Sequence, residues 1–92
     1  MNLGLAIAVF RKKKGLSQKE LAIRCGLSAN TLCSIEKDKS FPSKETIGSI
    51  CYNLDISVGM LLFSALDDND VPPQKLEVFK VLQKPLLEMF GL

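Results

Sequence analysis

Apolar residues along this 92-residue chain recur at spacings of three and four rather than two, and β-branched residues do not cluster. That is helical patterning, so an all-α fold is expected. A first helix is predicted over about Leu3 to Lys14, with Leu3, Ile7 and Phe10 on one stripe. Leu5 and Val9 form a second stripe, which a one-sided surface helix would not need. Another element is expected to cover it.

The stretch "LSQKELAIRCGLSANTLCSIEKDKSFPS", Leu16 to Ser43, holds two further helical patterns separated by one glycine. Ser17 with Glu20 three residues on is a capping box, and Leu16 with Leu21 is a hydrophobic staple around it. Gly26 supplies the left-handed conformation that stops a helix abruptly. Leu27 and Leu32 then bracket Ser28 as a second staple around a second N-cap. The stretch therefore reads as helix, turn, helix.

Pro42 and Ser43 announce a fourth helix, with Ile47, Ile50, Cys51 and Leu54 at helical spacing. Ser57 caps a fifth, stapled by Ile56 and Leu61, with Val58, Leu61 and Leu62 expected to face inward. "DDNDVPP" from Asp67 is a turn-rich acidic break, after which helical spacing resumes through Leu76, Phe79, Leu82, Leu86 and Met89 or Phe90. Pro85 falls inside that pattern, where proline costs about 3 kcal/mol in a straight helix, so a kink or restart is expected there. The chain divides into residues 1–66, a five-helix unit, and 67–92, an acidic linker with a C-terminal helix.

The spacing within the opening stretch is mechanically specific. Two helices that cross steeply through a short turn need a small side chain where their backbones approach, which Ala22 provides, and a turn residue, which is Gly26. Leu32 and Ile35 pin the following helix to the core. With the downstream Pro-Ser, this arrangement resembles the lambda-repressor and Cro family, also called the xenobiotic-response-element family, over residues 3 to about 63. Asp38 stands where that family usually has Gly, and Gly48 weakens the fourth helix by up to about 1 kcal/mol relative to Ala. The resemblance implies a sequence-specific DNA-binding transcriptional regulator with no enzymatic activity.

Composition narrows the alternatives. The chain is 47% hydrophobic, enough for one compact core, and has no histidine. The usual general base and imidazole ligand are therefore missing, and no Gly-rich phosphate loop or ligand cluster takes their place. Neither catalysis, metal nor cofactor is expected. Cys25, Cys33 and Cys51 are odd in number and widely spaced, which suits a reducing cytoplasm rather than a disulfide framework. No signal sequence or membrane-length apolar run is seen. The net charge of +2 is uneven, with nine Lys/Arg against five Asp/Glu in residues 1–66 and three against five in residues 67–92. An anionic partner should prefer the first segment.

With Leu32 and Ile35 inward, the third helix presents Ala29, Asn30, Cys33, Ser34 and Lys37 outward. Solvated helix faces are normally rich in Glu and Lys, whereas this one is small and mostly neutral. Ala29, Asn30, Cys33 and Ser34 suit base edges in a major groove, where Asn pairs with adenine and Ser bonds several edges. The family resemblance adds Gln18, Ser28 and Thr31 as phosphate contacts, followed by Lys37, Lys39 and Lys44. It also implies an internal ion pair of Arg11 with Glu36 that turns Arg11 toward the DNA backbone.

A single domain with few phosphate contacts binds weakly at cellular salt, and a two-fold dimer reading a pseudo-palindromic operator is the expected remedy. Leu76, Phe79, Leu82, Leu86 and Phe90 are the candidate interface, packing on their own domain, across the two-fold axis, or both. The expected partners are double-stranded DNA and a second copy, without a membrane. Two other readings stand beside this one: an antitoxin that also binds a toxin, and a protein-interaction module that binds no DNA.

Overall fold

A computed structural model describes all residues, Met1–Leu92. It is all-helical: α1 (Leu3–Lys13), α2 (Gln18–Cys25), α3 (Ala29–Glu36), α4 (Lys44–Asn53), α5 (Val58–Ala65) and α6 (Leu76–Met89), with short 3₁₀ turns at Asp68–Asp70 and Pro73–Lys75 between the last two. No single helix is long and apolar enough to cross a membrane.

The expected caps set the boundaries. The side chains of Ser17, Ser28, Ser43 and Ser57 each accept a backbone N–H from the first turn of α2, α3, α4 and α5. The Ser17–Glu20 capping box is complete, and Gly26 ends α2 at φ 69°. Hydrogen bonds to Ser17, the backbone N–H first, hold the Glu20 carboxyl below its ordinary value. Each cap satisfies an amide that the helix itself leaves unpaired, which is why eight-residue helices have defined starts here.

The five-helix unit closes around a core that includes Ile7, Leu21, Leu32, Ile50 and Leu61, all fully buried. Ala22 is buried where α2 meets its neighbours, and Cys51 lies in the core, where burial raises its thiol pKa. Cys25 and Leu27 pack against the same cluster from its edge.

One contact carried no helix-pattern signal. Gly4, in the first turn of α1, lies so close to the end of α3 that a Cβ there would sit 2.5 Å from the carbonyl oxygens of both Ile35 and Glu36. Only a residue without a side chain permits that approach. The Gly4 N–H donates to Asp38 Oδ1 at 3.0 Å, and the Leu5 N–H to Asn2 Oδ1 at 3.1 Å. Asp38, at φ 57°, thus turns the chain after α3 and caps α1.

Three expectations need revision. Val58 is 42% exposed rather than inward-facing, because it lies in the first turn of α5 beside an open groove. Leu5 is 57% exposed, so the second stripe of α1 stays partly uncovered, although Val9 is half-buried. Of the kink or restart expected at Pro85, the restart does not occur, because α6 runs through that residue as one helix, Leu76–Met89. Proline there removes a single backbone donor, and the rest of the ladder is retained.

Gly4→Ala is expected to lower stability by about 1–3 kcal/mol, since either α1 or the end of α3 must shift. Thermal unfolding would check this, with an equivalent substitution at Gly48 as a control, where a Cβ meets nothing within 4 Å.

Candidate nucleic-acid interface

The outer face of α3 is built by what holds its inner face. Leu32 and Ile35 are buried, and at helical spacing this turns Ala29, Asn30, Cys33, Ser34 and Lys37 to the other side. Ala29, Asn30 and Lys37 are exposed, while Cys33 and Ser34 are half-buried at the margin. The face is therefore small, uncharged over its first two turns and open to a partner, with cations at its end. Lys37, Lys39 and Lys44 are all exposed, and none has a carboxylate within ion-pair distance.

The residues flanking α3 are more engaged than their sequence suggests. Ser28 Oγ accepts the Thr31 N–H at 3.0 Å and lies 2.8 Å from Thr31 Oγ1. Both hydroxyls are exposed, paired with each other at the start of α3. Gln18 is half-buried, and its side-chain N–H donates to Glu36 Oε1 at 2.9 Å.

Arg11 is the most enclosed of the proposed phosphate contacts, 8% exposed. Its Nε donates to Glu36 Oε2 at 2.7 Å and its Nη2 to Glu36 Oε1 at 3.0 Å, a bidentate pair whose side chains are only 9% and 6% exposed. Nη1 donates to the Leu16 carbonyl at 2.8 Å. The guanidinium is thus held on three sides, by both carboxylate oxygens of Glu36 and by the Leu16 carbonyl. Planar guanidinium geometry suits this role, because one side chain satisfies a carboxylate and a carbonyl together.

This network joins α1 (Arg11), the α1–α2 loop (Leu16), the start of α2 (Gln18) and the end of α3 (Glu36). No buried side-chain nitrogen or oxygen lacks a hydrogen-bond partner. Sequence reasoning had paired Arg11 with Glu36 but missed the link to Gln18, because residues 18 positions apart give no periodic signal.

Of the candidate interface residues in the C-terminal segment, Leu76, Phe79, Leu86 and Phe90 are half-buried and Leu82 is exposed. Phe79 and Phe90 meet Phe63 of α5 with ring centroids 5.9 Å and 6.0 Å apart, and Phe90 packs against the core. One stripe of α6 thus rests on its own domain. A second stripe, Val78, Val81, Leu82 and Met89, is exposed. The charged residues Glu77, Lys80, Lys84 and Glu88 fall on one flank between the two stripes.

Comparison with known proteins agrees with this architecture. A family model described as helix-turn-helix matches residues 7–61. The immunity repressor protein of Bacillus phage phi105 is 27% identical over 96 residues, spanning 91% of this chain and 67% of that protein. Among solved structures, the clp gene regulator ClgR from Corynebacterium glutamicum superposes in one crystal structure with a TM-score of 0.67 at 34% identity, over 70% of this chain and 83% of that one. A second ClgR structure gives 0.68 at 27% identity, over 96% and 85%. The master regulator for biofilm formation SinR, solved in complex with DNA, gives 0.62 at 38% identity, over 65% of this chain and 97% of the solved one.

Glu36→Ala is expected to destabilise the fold by about 3–5 kcal/mol, because it leaves the Arg11 guanidinium buried without a counter-charge. Chemical denaturation would measure it. Adding Arg11→Met should restore part of the loss, and a double variant no better than the single one would contradict the ion-pair account.

Proposed function

Because this chain belongs to the helix-turn-helix family, we propose that it is a sequence-specific DNA-binding transcriptional regulator that lays α3 in the major groove. The observation that carries this reading is the outer face of α3, small and neutral at Ala29, Asn30, Cys33 and Ser34, with three unpaired lysines beyond it. The major groove, about 12 Å wide, admits such a helix, and Asn and Ser supply base-edge hydrogen bonds there. Gln18, Ser28 and Thr31 flank it as phosphate contacts, with Lys37, Lys39 and Lys44 as point charges. Arg11 acts one step back. Through Glu36 it fixes where the Gln18 amide stands relative to α3.

The operator is pseudo-palindromic and is read by a homodimer. Residues 1–66 form the reading domain, and residues 67–92 supply the dimer element. Leu76, Phe79, Leu86 and Phe90 anchor α6 to its own domain, while Leu82, with Val78, Val81 and Met89, is free to meet a second copy. A helix with apolar residues on two sides and charge on one flank is suited to lie between two bodies. Repressor and regulator are the names its relatives carry, and regulation by occupancy needs no chemistry from the chain.

Selection of bound duplexes from a random pool at fixed physiological salt should yield a two-fold consensus. Asn30→Ala and Ser34→Ala should relax it at particular bases, each at a cost of about 1–3 kcal/mol, whereas Lys37→Ala and Lys39→Ala should weaken all sequences alike and reduce the salt slope. A pool that stays unenriched would end this reading. For the dimer element, Val81→Glu with Leu82→Glu should give a monomer by sedimentation, and an unchanged dimer would remove α6 from the interface.

A further inference from the structure

The outer face of α3 is patterned as well as small. Ala29 and Cys33 stand four residues apart and so lie one above the other, as do Asn30 and Ser34. The face is therefore two rows, one apolar and one polar, side by side along the helix. Cys33 belongs to the apolar row, because a half-buried free thiol behaves as a small hydrophobe with only a weak donor. The one charged residue of α3, Glu36, is turned away to Arg11, so both rows are uncharged as far as Lys37.

The edges of the two kinds of base pair differ in the same respect. Across the major groove an A·T pair offers the adenine N7 acceptor, the N6 amino donor, the O4 acceptor and then the thymine methyl, passing from polar to apolar. A G·C pair offers two acceptors and an amino donor, and ends without a methyl. A helix laid along the groove sets its two rows side by side across that edge. The Asn30 amide, with a donor and an acceptor, matches N6 and N7 of adenine, while Ala29 and Cys33 fall on the methyl side. Four residues advance about 6 Å along the helix, so Ser34 and Cys33 repeat the match further along the groove. Guanine is most often read by Arg or Lys on N7 and O6, and neither residue stands in these two turns.

We propose that the bases met by the first two turns of α3 are A·T pairs, read by Asn30 and Ser34 on the adenine side and by Ala29 and Cys33 through the thymine methyl. The inference rests on the operator-binding function above. It adds the base class of the half-site, and it makes Cys33 a specificity-determining residue that works by apolar contact.

The test uses the full chain and duplexes carrying the selected operator. Half-site positions that respond to Asn30→Ala and Ser34→Ala should be A·T pairs. Replacing one thymine there by uracil, which pairs alike but lacks the methyl, should lower affinity about fourfold. Replacing adenine by 7-deazaadenine, which lacks the N7 acceptor, should lower it about fivefold or more. Cys33→Ser should erase the uracil penalty at one position, and Cys33→Ala, which is still apolar, should retain it. The readout is the ratio of thymine to uracil affinity within each variant, which a general loss of fold or affinity does not move. G·C pairs at those positions, or a wild-type chain that binds the uracil and thymine operators alike, would overturn the base class and leave the DNA reading intact. A uracil penalty undiminished in Cys33→Ser would overturn the role of Cys33. A pool from which no sequence is enriched would overturn both the inference and the function it rests on.

Discussion

A single buried carboxylate holds the geometry on which the rest depends. Glu36, the last residue of α3, accepts two hydrogen bonds from Arg11 of α1 and one from Gln18 of α2. Arg11 also reaches the Leu16 carbonyl in the loop between those helices. Three short helices therefore meet at one polar node within an otherwise apolar core. An apolar substitute of the same volume could supply stability, but not the angular constraint of a bidentate guanidinium–carboxylate pair. That constraint orients the end of α3 with respect to the start of α2, the two elements that would have to match a duplex together.

A second restraint acts on the same end of α3 from its other side. Gly4 lets the backbone of α1 touch the carbonyls of Ile35 and Glu36, and Asp38 ties the following turn back to the Gly4 amide. The final turn of α3 is thus clamped by an ion pair and by a close backbone approach. Its outer residues have few such contacts and remain open. Rigidity on one face and vacancy on the other are what a preorganised binding surface requires, since little ordering is left to be done when a partner arrives.

Legibility in the sequence varied with the range of the interaction. The N-caps at Ser17, Ser28, Ser43 and Ser57, the left-handed stop at Gly26 and the inward Leu32 and Ile35 were all readable, because each is decided within one or two helical turns. So was the composition of the outer α3 face. The pairing of Arg11 with Glu36 was anticipated only through the family resemblance, since nothing local tells whether a guanidinium at the end of a basic helix points outward or closes an ion pair with a residue far along the chain. Val58 was misplaced for a similar reason: apolarity in a first helical turn does not reveal whether a neighbour covers it. Pro85 signalled a kink or a restart, and of these the restart does not occur, because loss of one amide donor is tolerable within a helix of 14 residues.

The sequence by itself determined the number and order of the helices, the starts set by the serine caps, the stop at Gly26 and the inward residues of α3, because periodicity and capping are local and a 3.6-residue repeat admits few alternatives. Only the tertiary structure decided which helices touch. It brought Arg11 to Glu36 and Gln18, pressed Gly4 against α3, and sorted α6 into a stripe that leans on Phe63 and a stripe left bare. Such features depend on contacts between residues far apart in the chain, whose energies are settled by packing and desolvation once the whole core has closed.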